Sequence, residues 1–286
     1  MADLQYWDTV LVIVSVVGLA VVSLIFVLRL LSRQLSRQKL DIGDCFMGIG
    51  LLFCYGVAIC TIIAAFNGIG QDIWSLDEKA RSRRILFFWL TQTLWPFSQA
   101  FVKLSIIMLL QQLFCVQNRS IFFWLSIVFT VSWAVTAIFG NIFQCSPPRY
   151  FWLQATVKGT CMSGQKTFYI VIGALSLVED VALLLLPVFV VWSLNMGIKQ
   201  KVQVTALFCL AGLACVFSLL RLVEFNRYLT STATSSGSKE ALWTLLELYM
   251  VIICSSLILM RPLFGSLSST WIRWRKKCGH PSFSCQ

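Results

Sequence analysis

Between Ile85 and Phe114 the chain carries a single formal charge, Lys103, inside a run too long and too apolar for a soluble helix. At about 1.5 Å per residue such a helix crosses a hydrocarbon core of about 30 Å, which puts Lys103 at membrane depth. A charge there is costly and turns toward a partner or a wet cavity. Counting back along the helix from Lys103 reaches Gln99, Trp95 and Gln92, all on roughly the same face. That polar stripe is the axis around which the other spans are expected to pack. A purely structural ion pair is the plainer reading of Lys103, and a functional site is the sharper one.

Composition agrees with a polytopic membrane protein: 58% of the 286 residues are hydrophobic and 12% are charged. The net charge of +11 does not point to nucleic acid, because Lys and Arg fall mostly in short loops and the tail. It reads as a topology signal and as attraction to a lipid surface. The N-terminus carries Asp3 and Asp8 in place of a basic region, so no cleaved signal peptide is expected. His280 is the one histidine, which removes His-based triads, zinc sites and haem ligation. No metal site and no cofactor are expected.

The predicted architecture is all-α, a seven-helix transmembrane bundle with spans over about 9–31, 43–66, 85–113, 120–143, 167–194, 202–225 and 241–264. This gives a membrane domain over 1–266 and a basic cytosolic tail over 267–286. Arg29, Arg33, Arg37 and Lys39 place the first loop in the cytosol by the positive-inside rule, with the N-terminus outside or lumenal and the C-terminus inside. The sequon Asn118-Arg119-Ser120 then lies in a cytosolic turn, out of reach of glycosylation. Trp271, Arg273, Trp274, Arg275, Lys276 and Lys277 form a segment suited to an anionic leaflet. The expected location is a multi-pass protein of the endoplasmic reticulum or plasma membrane. Expected partners are the bilayer and an apolar small molecule.

The outer loop from Gln144 to Lys166 holds Cys145 and Cys161, the two cysteines placed in a lumenal loop. An oxidising compartment favours their pairing, worth about 3 kcal/mol in the chain-entropy model. In the fifth span Glu179 and Asp180 are adjacent and point about 100° apart, so they are not expected to face one partner. Tyr169, Gly173, Ser176 and Asp180 share the polar, small-residue face, which makes Asp180 the expected inward carboxylate. Pro187 leaves the Leu183 carbonyl without its usual donor, a further hint of a cavity. In the sixth span Arg221 and Glu224 stack on one face, where they could neutralise each other. Trp243 and Glu247 open the seventh. Two polar layers are predicted: Arg221, Glu224 and Glu247 near the depth of Gln92, and Lys103, Asp180 and Asp44 deeper or toward the inside.

These features, in this order, resemble the fungal rhodopsin-like domain family, seven-helix membrane proteins often encoded in specialised-metabolite clusters and first named after a satratoxin-cluster member. The resemblance rests on Asp44, Gly68-x-Gly70, Lys103-Leu104-Ser105, Phe143-x-Cys145-x-Pro147 with Trp152 and Cys161, Asp180 to Pro187, Arg221, and Trp243-x-x-x-Glu247. The sequence departs from it at Gly43, where an acidic residue is usual; at Gln71, where a histidine often stands; and in the Ser/Thr-rich loop before the last helix. Retinal is not expected despite the family name, since no lysine occurs between Ala241 and Phe264 to form a Schiff base there.

The resemblance and the buried charges together imply a membrane enzyme of specialised metabolism that cyclises or isomerises an apolar intermediate by acid/base catalysis. Asp180 or Glu247 would move the proton, and Lys103 and Arg221 would hold or polarise an oxygen. Gln92, Trp95, Gln99, Trp243, Asp44, Glu224 and Tyr169 would bind or wall the substrate. No Asp-rich magnesium motif is present, so an epoxide, carbonyl or polyene suits better than a prenyl diphosphate. The competing reading is a G-protein-coupled-receptor-like sensor. Against it, the third span ends in Gln111-Gln112-Leu113, no Asn-Pro-x-x-Tyr element follows, and the loops at 114–119 and 195–201 are short. A scaffold with purely structural buried charges is the third.

Overall fold

The structure is a computed structural model and describes residues 2–35, 41–67, 78–113, 121–154, 156–192, 198–230 and 236–259. The turn at Gly68 to Gln71, the sequon at Asn118 and the basic tail lie outside the described residues. Seven helices follow in order: α1 (Ala2–Leu35), α2 (Ile42–Phe66), α3 (Glu78–Leu113), α4 (Ile121–Ile142), α5 (Gln165–Trp192), α6 (Ile198–Thr230) and α7 (Ser236–Leu259). Among the described residues, six are long and apolar enough to cross a membrane, namely all but α6, whose described part carries Arg221, Glu224 and Arg227. The outward faces of α1 and α4 are rows of Val, Leu, Ile and Phe, as contact with lipid chains requires.

Several helices run past their expected bounds, and two of these departures bear on the site. With 36 residues, α3 is about 54 Å long, so its first turns project beyond a 30 Å core. The helix α7 begins at Ser236, ahead of the apolar run expected from 241, and so takes in Lys239 and Glu240. Glu240 is tolerated there because its carboxyl is hydrogen-bonded by neighbours, while the Lys239 ammonium lies over the Trp7 ring, 5.2 Å from its centroid.

Helix α3 is the hub. It packs closely on α2 where Gly50 has no side chain: a Cβ there would stand 2.7 Å from Val102 Cγ2 and 3.3 Å from the Ser98 carbonyl. Ser98 Oγ uses that approach to donate to the Gly50 carbonyl at 2.9 Å. On a neighbouring face α3 meets α7 in a parallel register. Gln92 donates to Glu240 at 2.9 Å and Gln99 donates to Glu247 at 3.1 Å, each pair 148 residues apart. Seven residues separate both glutamines and both glutamates, so the two bonds lie on one seam.

The segment between α4 and α5 forms a cap at one end of the bundle. Strands β1 (Cys145–Ser146) and β2 (Thr160–Cys161) pair antiparallel with Cys145 opposite Cys161, and the two cysteines form the expected disulfide. Trp152 of the cap lies against Trp89 of α3, with ring centroids 5.2 Å apart.

Candidate functional site

The buried ion pairs among the described residues sort into three groups. At the cytosolic ends of the helices, as the orientation above places them, Asp44 receives Arg29 Nε at 3.0 Å and Arg33 Nε at 2.8 Å. Arg29 also donates to Ser105 Oγ and the Ser255 carbonyl, both at 3.3 Å, tying α1, α2, α3 and α7 together. Asp44 is also part of the capping box of α2 with Asp41. The expected grouping of Asp44 with Lys103 does not hold, because two arginines of α1 claim its carboxylate first.

The second group surrounds Lys103, which is fully buried. Its Nζ lies 2.9 Å from Glu179 Oε2, 3.1 Å from Asp180 Oδ1, and 3.0 Å from both the hydroxyl and the carbonyl of Ser176. Glu179 is held in addition by the Thr130 hydroxyl of α4. The expectation that adjacent carboxylates cannot share a partner is therefore corrected. The ammonium sits over Ser176, and positions three and four residues further on fall about 60° to one side and 40° to the other, so the two carboxylates straddle it. Glu179, set aside by the sequence reading, is as close to the lysine as Asp180.

The third group belongs to α6 and α7. Arg221 Nε lies 2.7 Å from Glu247 Oε2, and Glu247 Oε1 accepts from Gln99 and from Ser218 at 2.8 Å. Arg221 does not neutralise Glu224; Glu224 pairs instead with Arg227 at 3.2 Å, nearer the helix end. Since α7 starts early, Glu247 lies at the depth of Gln99, one heptad below Gln92, which meets Glu240. The Arg221 guanidinium lies on the Trp95 ring, 3.9 Å from its centroid. Trp95 meets Trp133 edge to face at 5.6 Å, and Lys103 Nζ lies 5.1 Å from the Trp133 centroid. Two indoles thus separate the lysine group from the arginine group.

A pocket opens on the arginine side. Helix α3 supplies Gln92, Trp95 and Pro96; α4 supplies Ala137 and Asn141; α5 supplies Phe168, Tyr169, Ile172 and Gly173; and α6 supplies Arg221, Leu222 and Phe225. Its non-atom space, mouth included, is about 400 Å³, but the space for the centres of water-sized molecules is about 20 Å³, little more than one water. An occupant larger than that has to part the helices. At the outer end the Tyr169 hydroxyl stands 2.6 Å from Asn141 Oδ1 and 2.9 Å from Gln144 Oε1, and Asn141 donates to Thr93 at 2.9 Å. Inside, Arg221 Nη2 and Trp95 Nε1 are buried with no hydrogen-bond partner, and Arg221 Nε, though ion-paired with Glu247, makes no hydrogen bond either.

The site residues expected from the sequence are thus divided. Gln92, Trp95, Tyr169 and Arg221 line the pocket, and Gln99 and Glu247 stand behind Arg221. Lys103 and Asp180 form the closed group across the indoles. Trp243 packs on Phe217 at 5.7 Å, and neither it nor Glu224 is on the pocket wall. Gly173, expected on the inward face of the fifth span, is on the pocket wall, whereas Asn141, Ser218, Trp133 and Glu240 carried no sequence expectation. Trp133 and Asn141 lie on α4, which has no charged residue to draw attention, and Glu240 lay one residue outside the expected span.

Residues 28–266 match the family described as fungal rhodopsin domain. Among curated proteins the chain is similar to Receptor GIN3 of Arthrobotrys oligospora, 26% identical over 82% of this chain and 57% of the receptor. It is similar to the polyenoic acids biosynthesis gene cluster protein Ba17b of Metarhizium anisopliae, 23% identical over 84% of this chain and 69% of that protein. It also resembles satratoxin biosynthesis SC1 cluster protein 4 of Stachybotrys chartarum, 23% identical over 63% of this chain and 67% of the relative. The chain therefore spans little more than half the length of the receptor it matches. No solved structure matches it.

Proposed function

The chain belongs to the fungal rhodopsin domain family and is a multi-pass integral membrane protein, and on that footing we propose that it is an enzyme of specialised metabolism that cyclises or isomerises an apolar, oxygen-bearing intermediate. Relatives named for biosynthetic clusters support the setting. One observation carries the chemistry: a buried guanidinium, fixed by Glu247 and Trp95, turns an unused N–H toward a pocket in low dielectric. There a hydrogen bond to developing negative charge is worth far more than in water.

In this reading Arg221 polarises the substrate oxygen and Tyr169, the hydroxyl on the pocket wall, exchanges the proton, supported by Asn141 and Gln144. Glu247 is a positioning residue for Arg221, and Trp95 walls the cavity. Lys103 and Asp180, first candidates from sequence, hold α3 to α5 with Glu179. The N-terminus is outside or lumenal and the C-terminus cytosolic; a glycan on Asn118 would invert that orientation.

Deleting the gene is expected to leave an intermediate that microsomes carrying the protein convert. Tyr169→Phe microsomes would convert it about a hundredfold more slowly. An unchanged metabolite profile in the deletion strain would remove the enzyme reading. A second reading, a receptor, is favoured by the similarity to a protein named as one. It predicts that the pocket's ligand is recovered unchanged, and that deletion alters a response instead of a metabolite.

A further inference from the structure

We infer that the Arg221 pocket selects an uncharged oxygen acceptor, such as a ketone, epoxide or ester on an apolar skeleton, and turns away carboxylates and amines. The inference rests on the pocket being the ligand site, and deepens that reading by naming what enters it.

The wall states its preference through what it leaves unpaired. Arg221 and Trp95 are 6% and 3% exposed, and the buried wall atoms without a hydrogen-bond partner, Arg221 Nε, Arg221 Nη2 and Trp95 Nε1, are all donors. An unmet buried donor is relieved by an acceptor and by nothing else. Charge then decides which acceptor. Arg221 is already matched by Glu247 at 2.7 Å, and Glu247 is itself wholly buried. A carboxylate entering beside them would set two anions against one cation in a medium that solvates neither. An ammonium would face the guanidinium at close range. A neutral oxygen accepts from Nη2 without disturbing the pair. Gly173 keeps the approach clear, since a Cβ at that position would stand 3.6 Å from Nη2.

The test uses the full chain in nanodiscs and four probes of one shape: cyclohexanone, its isostere methylenecyclohexane, cyclohexanecarboxylate and cyclohexylamine. Binding is read by thermal shift, and the bound ketone by the infrared stretch of a carbon-13-labelled carbonyl. Cyclohexanone is expected to bind about tenfold tighter than methylenecyclohexane, with neither charged probe binding measurably. Its carbonyl stretch should fall on binding, and fall less in Trp95→Phe, which keeps the ring and loses the donor. Equal binding of ketone and isostere, tighter binding of the carboxylate, or binding of none of the four would overturn the inference. If Trp95→Phe fails to fold, the probe ranking on the unsubstituted protein still decides. Ketone selectivity without conversion of any metabolite would remove the enzyme reading and leave this one standing.

Discussion

Lys103 and Arg221 are both buried cations, both set against an indole and both facing glutamate, yet they end differently. Around Lys103 four oxygens of Ser176, Glu179 and Asp180 meet the ammonium, Glu179 accepts from Thr130 as well, only Asp180 Oδ2 is left without a donor, and none of these residues lines the pocket described above. Around Arg221 the Nε is ion-paired with Glu247 at 2.7 Å, neither Nε nor Nη2 makes a hydrogen bond, and the residue lines the pocket. A closed charge cluster stabilises one arrangement of helices, because removing a partner strands an ion in low dielectric. An unfinished one retains its capacity to bond and can use it on a ligand. The same residue types therefore serve the fold on one side of the Trp95–Trp133 pair and chemistry on the other.

The strongest way to break this contrast is Lys103→Met, which leaves Glu179 and Asp180 without a counter-ion. Stability, measured by denaturation in detergent, should fall by about 3–5 kcal/mol, and most of the loss should return in the triple variant with Glu179→Gln and Asp180→Asn. Return of the fold without return of conversion would move catalysis to the lysine side. Next is Arg221→Lys, which keeps the charge opposite Glu247 but loses the fork; conversion is expected to drop about a hundredfold with stability nearly unchanged. A melting temperature that falls as far as for Lys103→Met would erase the distinction. Thr130→Val removes one hydrogen bond to Glu179 and should cost about 1–2 kcal/mol of stability while leaving the Michaelis constant untouched. Gly173→Ala is the smallest: a Cβ meets the movable tip of Leu222, so the fold should lose under about 1 kcal/mol while the Michaelis constant rises severalfold.

Much of this could be read before any coordinates. The helix count follows from hydropathy, and the buried face of α3 from one-face spacing, since Gln92, Trp95, Gln99 and Lys103 are all at or under 5% exposed. The disulfide follows from compartment and loop position. What escaped are relations between helices. Which of Glu179 and Asp180 meets the lysine depends on where the ammonium sits along α5, and no helical wheel supplies that. Arg221 could equally have met Glu224 three residues on, had α7 not brought Glu247 closer. The contribution of α4 was invisible because Trp133 and Asn141 act through an indole ring and an amide, which look like ordinary span residues.

The paired Gln92–Glu240 and Gln99–Glu247 bonds repeat at one interval on two helices running the same way. Sliding α7 by one turn would unmake both at once, and a shift of about 10 Å would remake only one of them. That makes α3 and α7 a rigid spine, fastened like two teeth of a zip. Any swelling of the pocket to admit a molecule larger than water must come from α4, α5 and α6 leaning away from it.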